Sequence, residues 1–159
     1  MEKKLQFIFT KEIKILERDK NIKIAFFTLG CKLNFAETAM ISSKFIENGY
    51  KKVGFDKNAD VYVINTCSVT QVADKKCRQA IKKASSKGAK VVVIGCYSQL
   101  KPEEIASIDG VHLVLGTKDK FNVVDHVESL LAGNSNKIHS CNINSVDKFD
   151  AKIAQRHAA

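Results

Sequence analysis

The sequence predicts an α/β domain built on a parallel β-sheet. Three observations carry that expectation. Short, almost wholly apolar runs recur along the chain: KIAFFT (residues 23–28), VYVIN (61–65) and VVVI (91–94). Such runs suit strands covered on both faces. A helical period follows each run, the alternation expected of right-handed βαβ crossovers. And one layout, apolar run then cysteine then helix, occurs three times: KIAFFTLGCKLN (23–34), VYVINTCSVT (61–70) and VVVIGCYSQ (91–99).

Taken in order, residues 1–21 form a basic N-terminal extension, read as a short amphipathic element or a leader. The first strand covers 23–28. Asn34 is placed to cap the helix that follows, with Glu37 three residues on as its capping-box partner. Ala36, Ala39, Met40, Ser43 and Ile46 give that helix its period, and Gly49 its stop. Residues 52–55 read as a short edge strand and 60–65 as a core strand. A helix over 69–86 turns Val72, Ala73, Cys77, Ala80, Ile81 and Ala84 to one face and ends at Gly88. Residues 90–94 are the most apolar strand. Pro102 opens a helix through Ile105. A short strand at 112–115 precedes a helix at 118–131, whose core face is Val123, Val124, Val127, Leu130 and Leu131. After Gly133 the pattern dissolves, so 22–132 reads as the domain and 133–159 as a polar linker or tail. The arrangement expected is a three-layer, flavodoxin-like or Rossmann-like domain, with strand order left open.

Bulk composition sets limits. A chain of 159 residues, 45% hydrophobic and 27% charged, has the means to bury a core as one domain without disulfides. No apolar run reaches the roughly 20 residues a bilayer span needs. The charged N-terminus lacks a signal core, so the expected compartment is the cytoplasm. There, five cysteines form no disulfide framework and divide into packing residues and candidate ligands or nucleophiles. A net charge of +9 favours an anionic partner such as nucleic acid.

In an open α/β sheet, ligands bind outside the carboxyl ends of the strands. Cys31, Cys67 and Cys96 each follow such an end, and neighbouring strands lie about 4.8 Å apart. Thiolates are soft ligands for iron–sulfur clusters, zinc or copper. Three of them leave one metal position open, the arrangement that separates a reactive site from a structural one. One cysteine at a strand end is more simply a packing residue; three in one repeated context are not. Cys77 lies on an inner helix face and reads as core, and Cys141 as a chance thiol in the tail. None of His112, His126, His139 and His157 neighbours the three cysteines, so all read as structural or exposed. Gly30 and Gly95 precede cysteines, either for close approach of backbone to a cofactor or for a turn with positive φ. No phosphate-cradling glycine loop is present.

At these motifs the sequence resembles the N-terminal domain of the radical-SAM methylthiotransferases. TLGCKLN (28–34), NTCSVT (65–70) and GCYSQ (95–99) match that family's three cysteine motifs, and VLGTKDK (114–120) its later segment. The Lys-Leu-Asn after the first cysteine looks most like the branch acting on tRNA threonylcarbamoyladenosine. The resemblance implies that Cys31, Cys67 and Cys96 hold an auxiliary [4Fe–4S] cluster with one open iron. It implies that this iron carries sulfur or methylthio destined for C2 of a modified adenosine beside the tRNA anticodon. It also implies a second [4Fe–4S] cluster cleaving S-adenosylmethionine in a radical-SAM domain, and a TRAM domain adding tRNA affinity. No CxxxCxxC occurs here, so both later domains are expected to be absent and the chain alone inactive, with no residue in a catalytic role.

Other readings stay open. The same domain could serve the isopentenyladenosine or ribosomal-protein branch. The chain could instead be a basic module docking RNA or a protein partner without a cluster, through Lys75, Lys76, Arg78, Lys82, Lys83 and Lys87; the plainer reading of that helix is a solvated face. A zinc or thiol redox site is the remaining alternative, disfavoured by the lack of any CxxC.

Overall fold

A computed structural model describes residues 21–67, 70–134 and 138–139. Its strands are β1 (Lys23–Thr28), β2 (Lys51–Val53), β3 (Val61–Thr66), β4 (Lys90–Gly95), β5 (Leu113–Leu115) and β6 (Ile138–His139). They form one sheet in the order β2-β1-β3-β4-β5-β6, and every pairing is parallel. The first five strands follow the flavodoxin-like order, in which the chain reverses direction across the sheet between β1 and β3. The helices are α1 (Lys32–Glu47), α2 (Gln71–Ser85), α3 (Cys96–Leu100), α4 (Pro102–Ala106) and α5 (Val123–Leu131).

Alternation along the strands divides the core in two. Val61, Val63, Val92 and Ile94 pack with Ile41 and Phe45 of α1 and Val123 and Val127 of α5. Tyr62, Ile64, Val91 and Val93 pack on the other face with Ile81 and Ala84 of α2, Tyr97 of α3 and Ile105 of α4. Strand β3 is buried along its whole length and β4 over residues 91–95, as expected of strands so largely apolar. Three layers result, as expected from the alternation.

Several local expectations are corrected. Helix α1 starts at Lys32, with Cys31 at the N-cap and no side-chain cap bond. Asn34 lies inside the first turn and is 5% exposed; its amide reaches back to the loop, so it does not cap. Glu37 closes no capping box, because its carboxylate pairs with Lys120. The buried residues of α1 are Asn34, Ile41, Ser42 and Phe45, whereas Met40 and Ile46 are more than half exposed. Apolar residues occur all round this helix, so the period alone picked the wrong face. Helix α2 begins two residues later than predicted, where Thr70 accepts a hydrogen bond from the Ala73 amide. That cap leaves Val72 facing solvent, and Leu131 at the end of α5 is likewise exposed. The helix predicted over 118–131 opens as a 3₁₀ turn, Lys120–Asn122, and is α-helical only from Val123.

The two-residue strand β6 extends the sheet from within the segment read as a polar tail. Residues 1–20, with most of the expected extension, and Cys141 and His157 lie outside the described residues.

Candidate functional site

Register brings the three cysteine loops to one edge. Thr28 of β1 pairs with Asn65 of β3, Asn65 pairs with Ile94 of β4, and Thr66 pairs with Gly95. Cys31, Cys67 and Cys96 therefore leave three neighbouring strands at nearly the same level. Cys31 and Cys96 are exposed and Cys67 is partly exposed, while Cys77 is buried.

Two glycines set how closely these loops lie. Gly30 has φ +119°, and a Cβ there would stand 2.6 Å from Cβ of Cys67. The first cysteine loop is thus pressed on the second. Gly95 has φ +106°, and a Cβ there would strike the Thr66 carbonyl oxygen and come within 2.6 Å of Asn65 Oδ1. The third loop is thus pressed on the second. Of the two readings of these glycines, the turn with positive φ is the one the structure bears out; the close approach it shows is of loop to loop.

Each thiol meets its helix differently. Cys31 is the N-cap of α1, and its thiol lies below the ordinary range. The backbone amide of Asn34, then that of Leu33, favours the thiolate; slight desolvation and the charge of Glu37 oppose them. When protonated, the thiol donates to Asn34 Oδ1 at 3.5 Å. Cys96 is the first residue of the five-residue α3, and Cys67 lies in the loop ahead of α2. Cys31 and Cys96 thus stand at the starts of their helices, and Cys67 stands four residues ahead of Gln71. Burial pushes the Cys77 thiol up to about 12, which bears out its reading as core.

A polar network that sequence reasoning missed lies beneath the thiols. Asn34 Nδ2 donates to the Leu29 carbonyl at 2.9 Å. Asn65 Nδ2 donates to the Asn34 carbonyl and to Thr38 Oγ1, both at 3.1 Å. Thr28 Oγ1 donates to Thr38 Oγ1 at 2.8 Å. The signal was present in the motifs, since Asn34 and Asn65 stand three residues after Cys31 and two before Cys67. A second network joins Tyr97 and Arg78 to Glu104, at 2.9 and 2.6 Å.

Among the described residues, no three His, Cys, Asp or Glu side chains converge closely enough to hold a metal ion. The fold brings the three cysteine loops to one edge of the sheet. The donor chemistry nevertheless fits an iron–sulfur group: three accessible thiols, one held toward its charged form, on loops with no Cβ at their closest approaches. Of the described histidine side chains, His112 and His126 are engaged elsewhere. His112 Nδ1 accepts from the Val91 amide, and His126 lies 4.0 Å from Asp119.

Of the basic residues on and after α2, three are engaged. Arg78 pairs with Glu104, Lys83 lies over the Phe55 ring, and Lys87 donates to the carbonyls of Phe55, Asp56 and Lys57. Lys75, Lys76 and Lys82 are exposed. Lys75, Arg78 and Lys82 line a shallow groove of about 510 Å³ with Glu104.

Comparison with known proteins gives consistent matches. Residues 23–116 match the "Uncharacterized protein family UPF0004". The threonylcarbamoyladenosine tRNA methylthiotransferase MtaB of Aquifex aeolicus is 42% identical over 74% of this chain and 29% of its own length. The protein of the same name from Bacillus subtilis is 46% identical over 66% of this chain and 24% of its own length. A tRNA-2-methylthio-N(6)-dimethylallyladenosine synthase from Methylacidiphilum infernorum is 36% identical over 65% of the chain and 24% of its own length. The matched region thus spans about a quarter of the length of these curated relatives.

Proposed function

The chain belongs to the UPF0004 family, the N-terminal domain of the methylthiotransferases, and on that premise we propose that it holds an auxiliary [4Fe–4S] cluster for a tRNA-modifying methylthiotransferase. Cys31, Cys67 and Cys96 would be its three protein ligands, leaving one iron without one. The reading is supported above all by their place: three motif cysteines at the carboxyl ends of three adjacent strands, β1, β3 and β4. When bound, such a cluster supplies sulfur or a methylthio group for insertion at C2 of the modified adenosine.

The chain's own residues prepare the site. The Asn34 and Leu33 amides favour the charged form of Cys31, the form that ligates. Gly30 and Gly95 let the first and third loops lie against the second. The substrate proposed is threonylcarbamoyladenosine beside the anticodon of tRNA, because relatives of that name share 42% and 46% identity. The whole reaction also needs S-adenosylmethionine and a second [4Fe–4S] cluster in a radical-SAM domain. No CxxxCxxC is present to hold that cluster, so this chain alone is expected to be inactive. The proposed compartment is the cytoplasm, where tRNA is modified; no helix of the described residues is long and apolar enough to cross a membrane.

Anaerobic reconstitution with iron and sulfide tests the proposal. The wild-type chain should take up four irons per chain, on the cluster's own formula, with a broad visible absorption. Cys31→Ala, Cys67→Ala and Cys96→Ala should each lose nearly all of it, and Cys77→Ala should not. A triple alanine variant that still fills with iron and sulfide would remove the assignment.

A second reading has one observation in its favour: the groove lined by Lys75, Arg78 and Lys82. It makes the chain an RNA-docking module. Binding would then weaken steeply with salt, depend on those residues, and ignore iron.

A further inference from the structure

We propose that Asn65 is a positioning residue that holds all three cysteine loops in register, an inference that rests on the reading that those cysteines ligate one iron–sulfur group. Asn65 is 1% exposed and is the last but one residue of the buried strand β3, two residues before Cys67. Three hydrogen bonds join it to the first loop or to the helix that loop opens. Its main-chain oxygen accepts from the Leu29 amide at 2.9 Å. Its Nδ2 donates to the Asn34 carbonyl and to Thr38 Oγ1. Asn34 in turn fixes the turn around Cys31, through Nδ2 to the Leu29 carbonyl and through Oδ1 to the thiol. Thr28, the sheet partner of Asn65 on β1, donates to the same Thr38 Oγ1.

The other end of the same side chain faces the third loop. Asn65 Oδ1 is buried without a hydrogen-bond partner. It lies 2.6 Å from where a Cβ on Gly95, the residue before Cys96, would stand. A buried amide oxygen with no donor is uncommon and calls for a reason. Here the reason is placement: the amide is held so that both Nδ2 hydrogens serve α1, and the oxygen is left against Gly95. One buried amide therefore spans the loops of Cys31 and Cys96 from the strand that carries Cys67.

The chemistry is specific to an amide. An aspartate has the same shape and no N–H, so it would take away the Asn65 hydrogen bonds to the Asn34 carbonyl and to Thr38 Oγ1, leaving only the local donors Thr38 and Thr28. It would also set a negative charge beside three thiolates. Residues that orient ligands are worth roughly 10- to 100-fold in metal affinity, so Asn65→Asp should retain at least about tenfold less cluster than wild type under limiting iron.

The test uses the full chain in two states. In the metal-free state, a short bis-maleimide is applied and the Cys31–Cys67 link is counted by peptide mass spectrometry, with circular dichroism and thermal melting as the check on fold. In the reconstituted state, iron and sulfide are counted and the visible and electron paramagnetic resonance spectra recorded. The expected result for Asn65→Asp is a cooperative melt, slower Cys31–Cys67 linking, and a depleted cluster with altered spectra. Wild-type linking together with a full cluster of wild-type spectrum would overturn the proposal. If Asn65→Asp fails to fold, Thr38→Val decides, since it removes one Nδ2 acceptor without adding charge. It should link more slowly and hold its cluster less well than wild type, and wild-type behaviour in both assays would overturn the proposal. Should the wild-type chain take up no cluster, the functional reading fails, while the metal-free linking still decides whether Asn65 sets the loop spacing.

Discussion

Cys31 and Cys77 carry the same group in opposite surroundings. Amides of the first turn of α1 draw the Cys31 thiol toward its charged form, whereas the core around Cys77 pushes its thiol from 9.0 up to about 12. The second shift has a consequence for stability. Below pH 9 both folded and unfolded chains keep the Cys77 proton. As pH rises toward 12 the unfolded chain releases it and the folded chain does not, so stability is lost across that window. The full effect is about 4 kcal/mol. Thermal melts of wild type and Cys77→Ala from pH 8 to 11 should show it, as a steeper alkaline fall in Tm for wild type. Parallel curves for the two would contradict it. The places of these two thiols were legible in the sequence, since one follows a strand and the other keeps helical step with Ala80, Ile81 and Ala84. Asn34 was not, because a residue suited to capping reads as a cap until the turn ahead of it is seen to claim its amide.

Between elements, the contact that sequence periodicity could least foresee is Lys120 to Glu37. Its 2.6 Å ion pair joins the 3₁₀ turn before α5 to the first turns of α1. The two side chains are only 8% and 13% exposed. Removing one member of such a pair leaves a charge stranded out of water, at a cost of about 3 kcal/mol, while replacing both with apolar groups is often near neutral. Lys120→Met alone should therefore lower the denaturation midpoint strongly, and Lys120→Met with Glu37→Met should recover most of it. A double variant as unstable as the single one would show that the pair is not the cause. The interior strands were legible almost to the residue, because β3 and β4 are covered on both faces and are apolar along most of their length, polar side chains being confined to their ends. Helix faces were less so. Met40 and Ile46 of α1 look like core residues by type, yet Ile41 and Phe45 are the ones turned to the sheet. Where apolar groups surround a helix, only its neighbour decides which side is covered.

Strand order follows from no local signal. A crossover fixes handedness and leaves open the side of the sheet on which the next strand lies, so the place of β1 between β2 and β3 had to be seen. The finished sheet carries an apolar core on each face, and this is why folding should not wait for iron. The metal-free chain is expected to melt cooperatively, and bound cluster to raise Tm by mass action. A chain that stays unfolded until iron is supplied would contradict that. The all-parallel pairing has one more consequence, in time. No two of Cys31, Cys67 and Cys96 are close along the chain; a whole strand–helix unit lies between each and the next. Their loops meet only after long segments have closed, and pairings of that kind form slowly. During synthesis each thiol is therefore made, and stays open to air and stray metals, before its companions arrive. On the proposed function, cluster delivery would belong after the sheet is complete, since loading any earlier would meet single cysteines.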